Sequence, residues 1–264
     1  MRRAKGLGAR VAFGTAVCLV GLTVVLVAVS VSSAWKTARR QAVAQAAEVA
    51  HGQAHEITAE LGEPLRTVST MVAMFGSVIN GDSSKKLTRE DLSVQLGEVM
   101  KSHPRYNGLY TNWEPDAFDG RDKDFAGQRY GYQDGRVNVY WIRNDSGQAE
   151  RLDENSDLSD DYNTEVGDTG VRKGEYYLAP RERKQNSIIN PYFDDVAGKQ
   201  VLMTSLCAPV LRGQQFVGMV GCDVALDDLQ KLADEANLYN HQGQLTLVSN
   251  NGRVTAMTKH PEAV

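Results

Sequence analysis

A chain of 264 residues, 42% hydrophobic and 23% charged, has the length and composition of one large or two small folded domains. Its net charge of −4 is unevenly spread: residues 1–40 hold seven basic groups and no acid, leaving 22 basic against 33 acidic residues beyond them, a net of −11. An acidic body argues against nucleic acid as a partner, since displacing counterions from phosphate needs basic surface, and it favours cationic ligands.

Residues 11–34 carry no charge and are rich in Val, Leu, Ala and Gly. As a helix they extend about 36 Å, enough to cross a hydrocarbon core. The run is too long for the apolar core of a cleaved signal peptide, so an uncleaved anchor is expected. Arg2, Arg3, Lys5 and Arg10 set residues 1–10 in the cytoplasm, opposed by Lys36, Arg39 and Arg40 just beyond the span. That orientation puts residues 35–264 outside the inner (plasma) membrane.

From 35 to 80 the pattern is helical. Ile57, Leu61, Leu65, Val68, Val72, Phe75 and Ile79 recur at steps of three and four, the seam of an amphipathic or coiled-coil stalk. Such a stalk invites a homodimer, while the competing reading packs the seam on its own domain. Gly62 and Pro64 predict a kink near Leu61. Gly81-Asp-Ser-Ser84 ends the helix, and Thr88 with Asp91 marks a capped start for a second one, closing near His103-Pro104.

A strand follows at 106–113. A hairpin is then expected between 130–132 and 137–143, turning at Asp134-Gly135. Residues 145–168 contain nine acids and little apolar character, which reads as a solvated surface loop. Tyr176-Tyr177 leads into strands at 188–193, 200–211 and 216–224, with turns at Val196-Ala-Gly198-Lys and Arg212-Gly213-Gln. A helix over 225–238 presents Leu226, Leu229, Leu232 and Ala233 on one face, and a last hairpin closes around Asn250-Asn-Gly252. Helices followed by mostly antiparallel strands give an α+β fold.

No nucleophile elbow, phosphate-binding loop or dinucleotide fingerprint is present, so no enzyme and no cofactor is expected. His51 and His55 share a helix face without a third ligand, which predicts no metal site. Cys207 and Cys222 fall on neighbouring strands, where a bridge is conceivable but two buried thiols are the plainer reading. Gly218 and Gly221 read as close packing of a strand beneath a helix. A binding pocket is better supported. Asp194 and Asp223 lie near strand ends among aromatics, and aromatic faces with a carboxylate suit an ammonium group, each face contributing about 0.5–2 kcal/mol. Trp113 and Trp141 are candidate aromatic walls, with core or sheet-surface packing as the alternative.

The anchor, the long helix, the block GMVGCDVALDDLQKL and the hairpin LTLVSNNGRVTAM together resemble the double-Cache ectodomain of methyl-accepting chemotaxis proteins, over nearly the whole chain. The resemblance implies a PAS-like module with a central antiparallel sheet. Its layout would be a cytoplasmic N-terminus at 1–10, a transmembrane helix at 11–34 and a stalk at 35–80. A membrane-distal module would occupy 81–224, and 225–264 would open a second module, making the chain a fragment. In amino-acid-binding members an Arg followed by Trp-Tyr grips the ligand carboxylate, and Tyr-x-Asp with a later Asp holds the ammonium. Tyr192-Phe-Asp194 resembles the Tyr-x-Asp, Asp223 the later Asp, and Tyr176-Tyr177 the Trp-Tyr pair. Gly174 stands where the Arg is expected, with Arg172 two residues away. The resemblance therefore implies a chemotaxis sensor for an amine, a quaternary amine or an amino acid. A sensor for a histidine kinase or diguanylate cyclase, or a structural membrane-anchored coiled coil, are the rivals.

Overall fold

The computed structural model describes residues 3–81, 87–152, 160–196, 199–235 and 243–259. It divides into two units, Met1–Glu56 and Ile57–Val264, and helix α1 (Arg3–Asn80) contributes to both. The described part of the first unit is helix alone. Its large apolar side chains from Val11 to Val31 are exposed, and this helix is long and apolar enough to cross a membrane.

In the second unit α1 supplies residues 57–80. The helix runs on through Gly62 and Pro64, so proline does not break it there. Its seam turns inward. Val68, Met71 and Phe75 are buried with Leu61, Leu65, Val72 and Ile79 packed beside them, against the domain's own core. For this half of the helix the seam serves intramolecular packing. Helix α2 (Arg89–Ser102) starts at a full capping box: Asp91 N–H donates to Thr88 Oγ1 at 3.1 Å, and Thr88 N–H to Asp91 Oδ2 at 2.9 Å. Such a cap contributes about 1 kcal/mol. Its Leu92, Leu96 and Met100 join the same core.

The centre is a seven-stranded antiparallel sheet. Along it run β3 (Ala149–Leu152), β2 (Asn138–Arg143), β1 (Gly108–Trp113), β7 (Gln215–Ala225), β6 (Lys199–Arg212) and β4 (Ser187–Ile188), and β5 (Tyr192–Val196) also pairs with β6. The expected strand at 188–193 is thus two separate strands. The turn at 197–198 lies outside the described residues. The Asp134-Gly135 turn forms, with Gly135 at φ +86°, but it pairs only Gly131 with Val137 before β2 crosses to β1. Helix α3 (Asp122–Phe125) sits in this excursion, anchored by buried Arg89, which contacts Asp119, Asp122 and the Gly135 carbonyl.

Because side chains alternate along a strand, the sheet has two faces of different character. Leu109, Trp113, Val220 and Cys222 pack towards α1 and α2, whereas Tyr110, Cys207 and Met219 face α4 (Glu175–Arg183). Leu226, just before helix α5 (Asp227–Glu235), and Leu229 and Ala233 within it are buried with Ala256 of the hairpin β8–β9 (Thr246–Val248, Val254–Met257), and the side chain of Leu232 lies outside those described. The remainder of the expected helix, 236–238, lies outside the described residues.

The register settles the cysteines. Cys222 stands opposite Leu206, and Cys207 opposite Gly221. This one-residue offset sends the two thiols to opposite faces of the sheet, so no bridge joins them and both are free. The glycines split in the same way. A methyl group at Gly218 would meet the Trp113 ring on the helix face, and one at Gly221 the Tyr110 ring on the other.

Candidate ligand-binding site

The face of the sheet away from α1 and α2 floors a cleft of about 700 Å³. Asp223 lies at its base. It is 2% exposed, standing two residues inside the end of β7, so it belongs to the floor and not to a mouth. Register places it beside Gly108 on one neighbour and Ser205 on the other. Gly108 is needed there, since any Cβ would press on Asp223 Oδ2 and the Tyr140 ring. Ser205 Oγ donates to Asp223 Oδ1 at 2.5 Å, and Tyr140 Oη donates to Oδ2 at 3.1 Å. Tyr192 Oη lies 2.6 Å from Ser205 Oγ; because the serine proton is used on Asp223, the tyrosine is the donor. Tyr192→Ser205→Asp223←Tyr140 is therefore one hydrogen-bonded chain drawn from four strands, β5, β6, β7 and β2. Burial pushes the Asp223 carboxyl up to about 7; the Ser205 hydrogen bond opposes this and the nearby Asp194 charge adds to it.

Four tyrosines surround that floor. Tyr110 sits edge-to-face with Tyr140 at 5.4 Å and with Tyr176 at 5.8 Å, and Tyr192 comes in from β5. Burial, before any other cause, raises all four phenols well above their ordinary range, so they are neutral donors and π faces. Asp194, exposed and on the same side of β5 as Tyr192, lines the cleft nearer solvent.

A second network stands behind the wall. Asp161 accepts from Asn112 Nδ2 at 2.8 Å, from Tyr132 and Tyr176 hydroxyls at 3.0 Å each, and from Arg136 at 3.0 Å. Its side chain is fully buried, and burial raises its carboxyl although Arg136 opposes that. The expectation of a solvated loop over 145–168 therefore fails twice: 149–152 form β3, and Asp161 is a buried anchor for three cleft residues. Asp153, Glu154 and Asp157 lie outside the described residues.

Two of the candidate walls are elsewhere. Trp113 is fully buried on the helix face against Phe118, at 5.0 Å between centroids. Trp141 packs over Gly97 of α2 and donates to Ser93 Oγ at 3.3 Å. The cause is parity: Asn112 and Tyr140, one residue before each tryptophan, point into the cleft. Tyr177 also misses the cleft. It is buried, donates to Glu114 Oε1 at 2.9 Å and packs on Phe216. Tyr176, Tyr192, Asp194 and Asp223 do come together. Tyr110, Asn112, Tyr132, Tyr140, Ser205 and Asp161 are among the residues that sequence reasoning left unassigned; a signal existed only for Tyr140 and Ser205, as partners that a buried carboxylate must find.

Gly174 has a structural reason. As N-cap of α4 it donates to the Asn163 carbonyl at 2.9 Å, and a Cβ there would collide with the carbonyls of Asp160 and Asp161. No arginine fits that position while the 160–163 backbone crosses it. Arg172 does line the cleft, with its guanidinium engaged by Glu175 and Glu182. Lys173, also on the lining, pairs with Glu165 at 2.9 Å.

A sheet with α1 and α2 on one face and, beside α4 on the other, a tyrosine- and carboxylate-lined cleft is the arrangement of a ligand-binding sensor domain of PDC/Cache type. The chain belongs to the methyl-accepting chemotaxis protein-like family, first PDC sensor domain, whose pattern matches residues 93–231, a little over half of it. It is 36% identical over 166 residues to methyl-accepting chemotaxis protein TlpQ of Pseudomonas aeruginosa. That match covers 61% of this chain and only 23% of TlpQ. Among solved structures, the extracellular domain of the histidine kinase candidate mmHK1S-Z3 aligns with a TM-score of 0.63 at 22% identity, covering 79% of this chain and 68% of that one. The periplasmic sensory domain of the Campylobacter jejuni chemoreceptor Tlp1 aligns at 0.60 and 13%, covering 81% and 71%. These two likenesses speak for the fold.

Proposed function

We propose that the cleft senses a small organic cation for chemotactic transmembrane signalling: an amine or quaternary amine first, an amino acid second. The observation that carries this reading is the floor itself, where buried Asp223 is ringed by Tyr110, Tyr140 and Tyr192, with Asp194 above. A desolvated carboxylate beside aromatic faces attracts an alkylammonium by charge and by cation–π contact together. Among the described residues the two lining cations, Arg172 and Lys173, are paired with glutamates, so the carboxylates set the sign of the cleft. Tyr176 and the Asp161 network would fix the far wall.

In this reading residues 11–34 anchor the chain in the inner membrane, residues 35–264 are extracytoplasmic, and of the stalk helix 35–80 the part before Ile57 pairs in a homodimer while the rest packs in its own domain. Residues 81–224 are the membrane-distal module of a double-Cache receptor and 225–264 the opening of its second module. Ligand would act by shifting helix packing across the dimer. A kinase output is the second reading, because the same fold occurs in the extracellular domain of a histidine kinase candidate, but a relative with substantial sequence identity is a chemotaxis protein. The test is a thermal-shift screen of the chain in detergent micelles against amines, betaines and amino acids. Stabilisation by a cationic ligand that is lost in both Asp194→Ala and Asp223→Ala is expected. No shift with any cation, or a shift that survives both substitutions, would remove the reading.

A further inference from the structure

One guanidinium of the cleft lining is engaged by two carboxylates of the same helix. Arg172 lines the cleft beside Tyr176. Its Nη1 and Nη2 donate to the two oxygens of Glu182 at 2.8 and 2.9 Å, and its Nε donates to Glu175. Glu175 and Glu182 are seven residues apart on α4, two helical turns, so one helix face presents both carboxylates to the same guanidinium. The two-point fork that matches a carboxylate is spent on Glu182, and the remaining charge is met by Glu175. The neighbouring position, 174, cannot carry a side chain because the 160–163 backbone lies against it.

We propose that Glu175 and Glu182 are specificity-determining residues, which sequester Arg172 and so restrict the cleft to organic cations without a carboxylate. This rests on the reading of the cleft as a cation site and narrows it. The glutamates touch no ligand; they act by occupying the group that would accept the acid end of an amino acid. Glu182 is half exposed and can be changed with little effect on packing. Glu175 opens α4, where a carboxamide keeps the hydrogen bond and loses the charge.

The experiment is calorimetric titration of the full chain in micelles with matched pairs that differ by a carboxylate: isobutylamine and valine, phenethylamine and phenylalanine, choline and glycine betaine. Wild type should bind the carboxylate-free member of at least one pair at least tenfold more tightly. E175Q/E182Q should bind the carboxylated partner about tenfold better than wild type does, with its carboxylate-free counterpart bound no better than by wild type. R172A in the wild-type background frees both glutamates and should leave the carboxylate-free ligand bound at least as tightly as before. Equal wild-type affinity within every pair that binds overturns the proposal, as does a folded E175Q/E182Q with no gain for the carboxylated ligand. If R172A alone destroys amino-acid binding, Arg172 is already a clamp and the proposal is wrong. Should the double variant unfold, E182Q alone carries the same comparison with a gain of at least threefold required. Failure of every pair in wild type refutes the cation reading itself, a separate outcome.

Discussion

Asp223→Asn isolates the cost of keeping a carboxyl at the floor of the cleft. The side chain is 2% exposed, and burial lifts its carboxyl from an ordinary 3.8 to about 7. Between those values the folded state holds a proton that the unfolded chain has released. The favourable contribution of the protonated form is therefore complete below pH 3.8 and is lost as pH rises towards 7. Three pH units at about 1.36 kcal/mol each make the loss about 4 kcal/mol. Asparagine does not titrate, and it can still accept from one hydroxyl and donate to the other oxygen. Urea denaturation of wild type and variant in micelles at unit steps from pH 4 to pH 8, followed by Trp113 and Trp141 fluorescence, gives the difference directly. All other titrating groups cancel in that difference. Wild type should lose about 3–4 kcal/mol relative to the variant across the range. A difference constant to within about 1 kcal/mol would show that Asp223 is solvated in the folded protein, and the account of a dry floor would fail.

Further outcomes follow from the packing. Gly174→Ala should destabilise by about 1–3 kcal/mol, because the backbone of Asp160 and Asp161 cannot retreat without opening the loop; denaturant midpoints measure this. Trp113→Ala should cost about 3–5 kcal/mol, while Trp141→Phe should cost less and leave ligand affinity unchanged, since neither ring lines the cleft. Removing the charge of Asp161 by Asp161→Ala strands buried Arg136 and should cost about 3–5 kcal/mol. In native protein Cys207 and Cys222 should resist alkylation and react together after unfolding without reductant; a mass shift of one lost disulfide would contradict the register.

The elements that read well from sequence are those with local causes. The capping box at Thr88, the stop at His103-Pro104, the strand at β1 and the α5 stripe each rest on chemistry within a few residues. The long strands β6 and β7 were legible too, as sustained apolar runs. Parity was not. Trp141 and Tyr140 are equally plausible walls until the partner strands fix which face is outward, and the tryptophans fell on the helix side. Asp161 was hidden for a related reason: amid nine acids, only the tertiary approach of Arg136, Tyr132, Tyr176 and Asn112 distinguishes it. Gly174 reads from sequence as a missing ligand group, and its cause is a loop crossing that no spacing reveals.

In β1 and β7 the cleft and the helix-packed core occupy alternate residues: Tyr110 beside Leu109, Asn112 beside Trp113, Asp223 beside Cys222. A single inserted or deleted residue in either strand would exchange the two sets, drawing aspartate into the apolar layer and tryptophan into the cleft. The scaffold therefore tolerates two kinds of change in its ligand: replacement at every second strand position, and altered length in the segments that bridge the strands. Strand length itself is frozen. New chemical tastes in such a sensor must be written by substitution on the floor or by remodelling at the rim.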